Sequence, residues 1–254
     1  INLEERLDRK KHVEEQLNQL GWNYTRFNAI KNKSGRVGCS MSHLKLLLYA
    51  KKNNLPYIVI VEDDIQFTNI ELFKKQINNF LTSKINYDVY LLAGNLRPPV
   101  KQVKSDLLKI YKSFTTTGYI VKNHYFNKMI NNIKEGINNL IRNPNNGYNA
   151  IDVYWMKLQA KDNWLIIMPR TITQRPIYSD IEQRYTDYNH LMLDDMSNIP
   201  KDINFIYNDD LKQLNYLQIK DYYFIHIPKN AGTSIINHFF ELDNKIGTHY
   251  NINY

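Results

Sequence analysis

The chain has 254 residues, enough for one sizeable α/β domain and a further fragment, and its 43% hydrophobic and 13% aromatic residues can fill a core. No apolar run approaches the roughly 20 residues that span a bilayer, and the single cysteine, Cys39, excludes an intrachain disulfide. The net charge of +8 favours anionic partners, but Lys and Arg are spread along the chain, which fits a solvated basic surface better than a nucleic-acid groove.

No signal peptide is recognisable at Ile1, so the expected location is the cytoplasm, or a lumen if a leader has been trimmed. Ile1-Asn2-Leu3 reads as the end of a first strand. A helix follows, with Val13, Leu17 and Leu20 on one face and Gly21 closing it. Tyr24 to Ile30 reads as a second strand and Lys31 to Gly38 as a polar loop. Met41 to Asn53 is a predicted helix burying Leu44, Leu47 and Leu48. Tyr57 to Val61 is an apolar β-branched run, expected to be a buried strand of the parallel type. Phe73, Ile77 and Phe80 mark another amphipathic helix, and Tyr87 to Ala93 a strand ending at Gly94. Then come a short strand at Tyr119 to Val121, a long helix from Phe126 to Ile141, a helix from Ile151 to Ala160 and a strand from Trp164 to Met168. This alternation predicts an α/β fold with a mostly parallel twisted sheet and helices on both faces. The pattern breaks near Met192, where Asp and Asn accumulate. The expected organisation is a first domain over 1–190, a linker or irregular tail over 191–218, and a strand–loop–helix fragment over 219–254.

The apolar run at 57–61 ends in Glu62-Asp63-Asp64. In open α/β sheets ligands sit outside the carboxyl ends of strands. Three acids there repel one another unless a cation joins them. Oxygen ligands suit Mg or Mn, and such ions commonly hold substrate phosphates. A solvated acidic turn is the plainer alternative.

Several blocks recur in order along residues 1–185: Ile1-Asn2-Leu3 with Arg6, Asp8 and Arg9; Phe27-Asn28-Ala29-Ile30; Gly38-Cys39-Ser40-Met41-Ser42-His43; Glu62-Asp63-Asp64; Gly118-Tyr119-Ile120-Val121; Ile151-Asp152-Val153-Tyr154; and Gln174 before Ser179-Asp180-Ile181. By these blocks the chain resembles glycosyltransferase family 25, which includes lipooligosaccharide and procollagen galactosyltransferases. The resemblance implies a GT-A type fold, a UDP-sugar donor, a divalent metal (Mn, or Mg) and inversion at the anomeric carbon. The acceptor implied is a glycan, a lipooligosaccharide or a collagen-like hydroxylysine, with galactose or glucose transferred.

Within that frame Asp64 is the expected metal ligand, with Asp63 beside it, and Glu62 or Asp63 takes the ribose or a metal-bound water. Asn2 and Arg6 lie near the base and diphosphate; Arg9 either joins them or faces solvent. Ala29 and Ile30 form an edge against uracil, or simply pack in the core. Gly38 permits close backbone approach. Ser42 and His43, taken to open a helix, would meet a phosphate there, unless His43 is a core residue. Asp152 is the candidate general base, the alternative being a helix-start carboxylate without chemistry. Asp180 and Glu182 are further bases or metal-side ligands, and Gln174 a phosphate or metal contact. Thr115, Thr116 and Thr117 either line the acceptor side or are ordinary strand residues.

A second signal lies at His226-Ile227-Pro228-Lys229-Asn230-Ala231-Gly232-Thr233-Ser234, which resembles the phosphosulfate-binding loop of sulfotransferases. The competing expectations are a fragment of a bifunctional protein whose active part is a sulfotransferase, and a non-catalytic glycan-binding module.

Overall fold

The structure of the protein, a computed structural model, describes residues 1–195 and the backbone of three later strands, 203–207, 215–219 and 222–226. The predicted first two strands reduce to one parallel bridge, Asn2 with Asn28. Helix α1 (Leu7–Asn18) buries Leu17, and the chain stops at Gly21, whose φ of +68° is the left-handed conformation that ends helices. Helix α2 (Gly35–Lys52) starts six residues before the expected Met41. Its glycines serve packing: a Cβ on Gly38 would sit 2.5 Å from the Ile30 carbonyl oxygen. Leu47 is fully buried, but Leu48, expected inside, is 40% exposed because it falls off the inward stripe.

The chain continues through β1 (Tyr57–Val61), β2 (Ile65–Phe67) and α3 (Ile70–Thr82). Asn69 caps α3, its Oδ1 accepting from the Leu72 amide at 3.0 Å. Next come β3 (Val89–Leu91), β4 (Asn95–Leu96), β5 (Val100–Lys104), β6 (Leu107–Ile110), β7 (Ser113–Phe114) and β8 (Gly118–Lys122). Helix α4 (Phe126–Arg142) matches its predicted span to one residue. The predicted helix at 151–160 is broken at Trp155 into α5 (Ile151–Tyr154) and α6 (Met156–Lys161). Strands β9 (Trp164–Ile167), β10 (Ile172–Gln174), β11 (Ile177–Ser179) and β12 (Arg184–Thr186) and helix α7 (Asn189–Met192) follow.

The central sheet has six strands in the order β1-β8-β3-β9-β6-β5. Only β3–β9 is parallel; the other four neighbouring pairs are antiparallel. The fold is thus mixed α/β, and the mostly parallel sheet is corrected to a mostly antiparallel one. A strand buried on both faces reads as the same apolar run whichever way its neighbours point. Strand β1 lies at the sheet edge, with Tyr57 49% exposed, rather than in its interior. Helices do cover both faces. Val89, Leu91, Tyr119, Val121, Trp164 and Ile166 face α2 and α4, while the alternating Tyr90, Ile120 and Leu165 face α3.

Beyond residue 195 the backbone forms an antiparallel three-stranded sheet, β13 (Ile203–Tyr207), β14 (Asn215–Ile219) and β15 (Tyr222–His226). Two of these strands fall in the stretch expected as a linker. The phosphosulfate-like loop around Lys229 lies outside the described residues.

Candidate functional site

Beyond the carboxyl end of β1 the acidic turn opens on a cleft of about 860 Å³. The Glu62 amide donates to the Thr117 carbonyl at 2.9 Å, which ties the turn to the start of β8. From there the three acids go three ways.

Glu62 turns inward. Its Oε1 accepts from Thr116 Oγ1 at 2.9 Å, from His43 Nε2 at 3.2 Å and from Cys39 Sγ at 3.7 Å. His43 Nδ1 lies 2.7 Å from the Tyr119 hydroxyl. Burial pushes the Glu62 carboxyl up, but the hydrogen bonds from His43 and Thr116 hold it below its usual range. Asp63 is pinned: Oδ2 accepts from Asn2 Nδ2 at 2.8 Å and Oδ1 from Arg9 Nη1 at 2.9 Å. Asp64 faces the cleft. Its Oδ2 lies 3.3 Å from Gln174 Nε2 and 3.5 Å from Arg9 Nη1, and its Oδ1 is buried with no partner. Burial first, then the charges of Glu62 and Asp63, push its carboxyl up to about 8 against the pull of Arg9.

Asp152 also lines the cleft, in the first turn of α5, and its Oδ2 accepts from the Thr115 amide at 3.2 Å. Thr115 holds a left-handed φ of +75°, uncommon for a β-branched residue. Burial raises the Asp152 carboxyl above its usual range despite that amide, with Glu62 adding to the effect.

The cleft draws in Asn2, Arg6, Ala29, Ile30, Ser42, Glu62, Asp63, Asp64, Asp152, Gln174 and Asp180 from the sequence-derived candidates. Two stand behind its wall. His43 is fully buried, and since α2 begins at Gly35 it sits in the third turn of that helix, not at its start. The expected phosphate contact by His43 is therefore replaced by a structural role, orienting Glu62. Gly38 lies beneath Ile30, and Ser42 Oγ accepts from the Ile30 amide at 2.8 Å while donating to the Gly38 carbonyl, so it shapes the edge strip. Asp180, offered as a base or metal-side ligand, lines the cleft and pairs with Arg6, and Glu182 pairs with Arg184. Arg9 donates to the Tyr178 carbonyl at 3.0 Å, so the β11–β12 hairpin is strapped onto α1. Each oxygen of Asp63 thus already accepts one hydrogen bond from the protein. Asn95, Arg97 and Phe114 also line the cleft and were not singled out from sequence; the β4–β7 ribbon that carries them is too short to show a period.

Two donor sets bear on a metal. Cys39, His43 and Glu62 present ligand atoms within 4.8 Å of one another, but these atoms already satisfy each other by hydrogen bonds. Asp64 is the better fit: it has a buried orphan oxygen and a carboxyl that burial keeps from ionising, both of which a divalent cation would relieve.

A mixed α/β sheet with a polar cleft at one strand end, lined by carboxylates in contrasting states, makes this cleft the candidate functional site. Residues 33–144 match the family model of glycosyltransferase family 25 (LPS biosynthesis protein), a match that supports a transferase. Comparison with curated proteins gives no match. No described helix is long and apolar enough to cross a membrane.

Proposed function

We propose that the chain is a metal-dependent inverting glycosyltransferase of GT-A type, moving a hexose from a UDP-sugar to a hydroxyl of a glycan acceptor, with residues 1–190 as the transferring unit. The observation that carries this reading is that one cleft is lined by both an orphaned, charge-frustrated Asp64 and a buried, amide-held Asp152. A divalent ion at Asp64 would neutralise charge on the departing diphosphate. Gln174 and Arg9 steady the Asp64 carboxylate from the protein side. Ala29 and Ile30 offer a narrow backbone edge for a flat base, backed by Ser42. Asp152 accepts the proton of the attacking hydroxyl, and its raised carboxyl makes it a stronger base than a solvated aspartate.

The test is UDP release from a panel of UDP-sugars, with and without Mn, by wild type and Asp64→Asn. Release from one donor that needs the metal, and that falls about a hundredfold or more in the variant, supports the reading. Full metal-dependent release by Asp64→Asn would sink the assignment of the metal to Asp64. Absence of UDP binding in calorimetry would sink the donor.

A further inference from the structure

The β4–β7 ribbon carries two cations without an ion-pair partner among the described residues: Arg97, which lines the cleft, and Lys112, which stands opposite it just outside the lining. The Arg97 amide donates to the Lys112 carbonyl at 2.9 Å, which continues the β4–β7 register by one pair beyond Leu96–Ser113. Arg97 and Lys112 are therefore directly opposite, the arrangement in which like charges disfavour a ribbon. Lys112 Nζ sits over the Phe114 ring, 5.9 Å from its centroid, so ammonium and ring share the ribbon face. Burial, then the charge of Arg97, lower the Lys112 ammonium below its usual range.

The cleft's own acids are committed elsewhere. Asp63 is held by Arg9 and Asn2, Asp180 by Arg6, Glu182 by Arg184, and Glu5 by Lys31. Asp152 accepts from the Thr115 amide, and Asp64 faces Arg9 and Gln174. Among the described residues neither Arg97 nor Lys112 has an ion-pair partner. Beside them Asn95, 6% exposed and lining the cleft, has a buried Oδ1 without a partner. Two unpaired cations, an orphaned amide oxygen and an aromatic face thus meet on one short ribbon. That ribbon leads directly into Thr115, whose amide holds the base.

We infer that the acceptor saccharide carries a negatively charged substituent, a carboxylate or a phosphate, which Arg97 and Lys112 hold while Asn95 accepts from a sugar hydroxyl and Phe114 packs against the ring. The inference rests on the glycosyl-transfer reading, because the acceptor must approach the base. The ribbon adjoins Asp152 through Thr115, whereas the donor's anionic groups have the separate cluster of Asp64, Arg9 and Gln174. An anion between Arg97 and Lys112 removes the repulsion that the protein alone leaves in place.

The experiment uses the full chain saturated with UDP, so that the donor site is filled. A methyl hexoside, its 6-uronate and its 6-phosphate are titrated by ligand-observed NMR, against wild type and an R97Q/K112Q variant. The expected result is that at least one anionic glycoside binds about tenfold or more tightly than the neutral one. This advantage shrinks with salt and disappears in the variant, while neutral-glycoside and UDP affinities stay put. The stronger of uronate and phosphate names the substituent. Equal binding of neutral and anionic probes, no binding of either anionic probe up to 10 mM, or an advantage that survives R97Q/K112Q would overturn the inference. So would a loss of UDP affinity in the variant, which would reassign the two cations to the donor. Failure of wild type to bind UDP at all speaks against the donor reading instead, and is seen separately.

Discussion

Two parts of the acidic turn differ in how the polar atoms around them are settled. Around Glu62, which lines the cleft with Cys39 and Thr116, the side chains of His43, Tyr119, Thr116 and Cys39 are joined to one another through hydrogen bonds that meet at Glu62 Oε1 and His43. Elsewhere along the cleft, Asp64 Oδ1, Asn95 Oδ1 and Thr115 Oγ1 are buried and unanswered. Glu62 and Asp64 are two residues apart, yet one carboxyl is held below its usual range and the other is pushed up to about 8. Neighbouring acids of the same turn therefore divide the labour: one fixes the architecture, and the other waits for a ligand. Burial alone does not separate the two roles; hydrogen-bond completeness does.

The sharpest way to break this contrast is at the base. Asp152→Asn keeps the shape and the Thr115 contact but cannot take a proton. A fall in kcat of about a hundred- to ten-thousandfold is expected, with UDP affinity unchanged. In wild type the rate should rise with pH as Asp152 ionises, with a midpoint above that of an ordinary aspartate, and the variant should lose this limb. Pre-steady-state rates over pH 4–8 read both.

Next in size is stability. Glu62→Gln leaves the His43 and Thr116 donors poorly matched and should cost about 2–4 kcal/mol. Asp64→Asn should do the reverse without metal, adding more stability at pH 8 than at pH 5. The signs follow from proton binding. Asp64 binds its proton more tightly folded than unfolded, so metal-free stability declines as pH rises from the ordinary aspartate range toward 8, and the variant lacks that slope. Glu62 is depressed, so its contribution is present above the ordinary glutamate range and is lost as pH falls through its lowered folded value. Denaturant melts of the three proteins at pH 5 and pH 8 test the crossing.

The smallest effect belongs to the hairpin strap. Arg6 and Asp180 have side chains 19% and 46% exposed, so Asp180→Asn should change stability by no more than about 1 kcal/mol. If the strap bounds the cleft, the donor KM rises a few fold with kcat kept. An Asp180→Asn enzyme with kcat collapsed would instead restore Asp180 as a reacting group.

Much of the frame was legible in the chain. Helices around Phe126 and Phe73 announced themselves by apolar spacing, and the acids at 62–64 by following an apolar run. Strand direction was not legible, because Val89-Tyr90-Leu91 and Trp164-Leu165-Ile166 are buried on both faces and carry no mark of their neighbours' polarity. The hairpin β5–β6 was missed because Val100 to Lys104 has no period-two alternation and buries only Val100. His43 was misplaced because glycines at 35 and 38 read as loop, when Gly38 lets α2 press against Ile30 and Gly35 sits against Ile181. The partner of Asp180 was out of reach, since a contact spanning 174 residues leaves no local trace.

The lone parallel pair has a bearing on how the molecule comes to exist. Strand β9 lies between β3 and β6, yet it is made more than 50 residues after β6. Until residues 164–167 emerge, Val89–Leu91 and Leu107–Ile110 each present an apolar, unpaired edge. Such edges are templates for pairing with other chains. Long-range closures of this kind are slow to form. The segment 33–144 on its own stops short of β9, Asp152 and Gln174. Expressed alone, it should aggregate rather than bind, because the last strand to arrive is the one that seals the middle of the sheet.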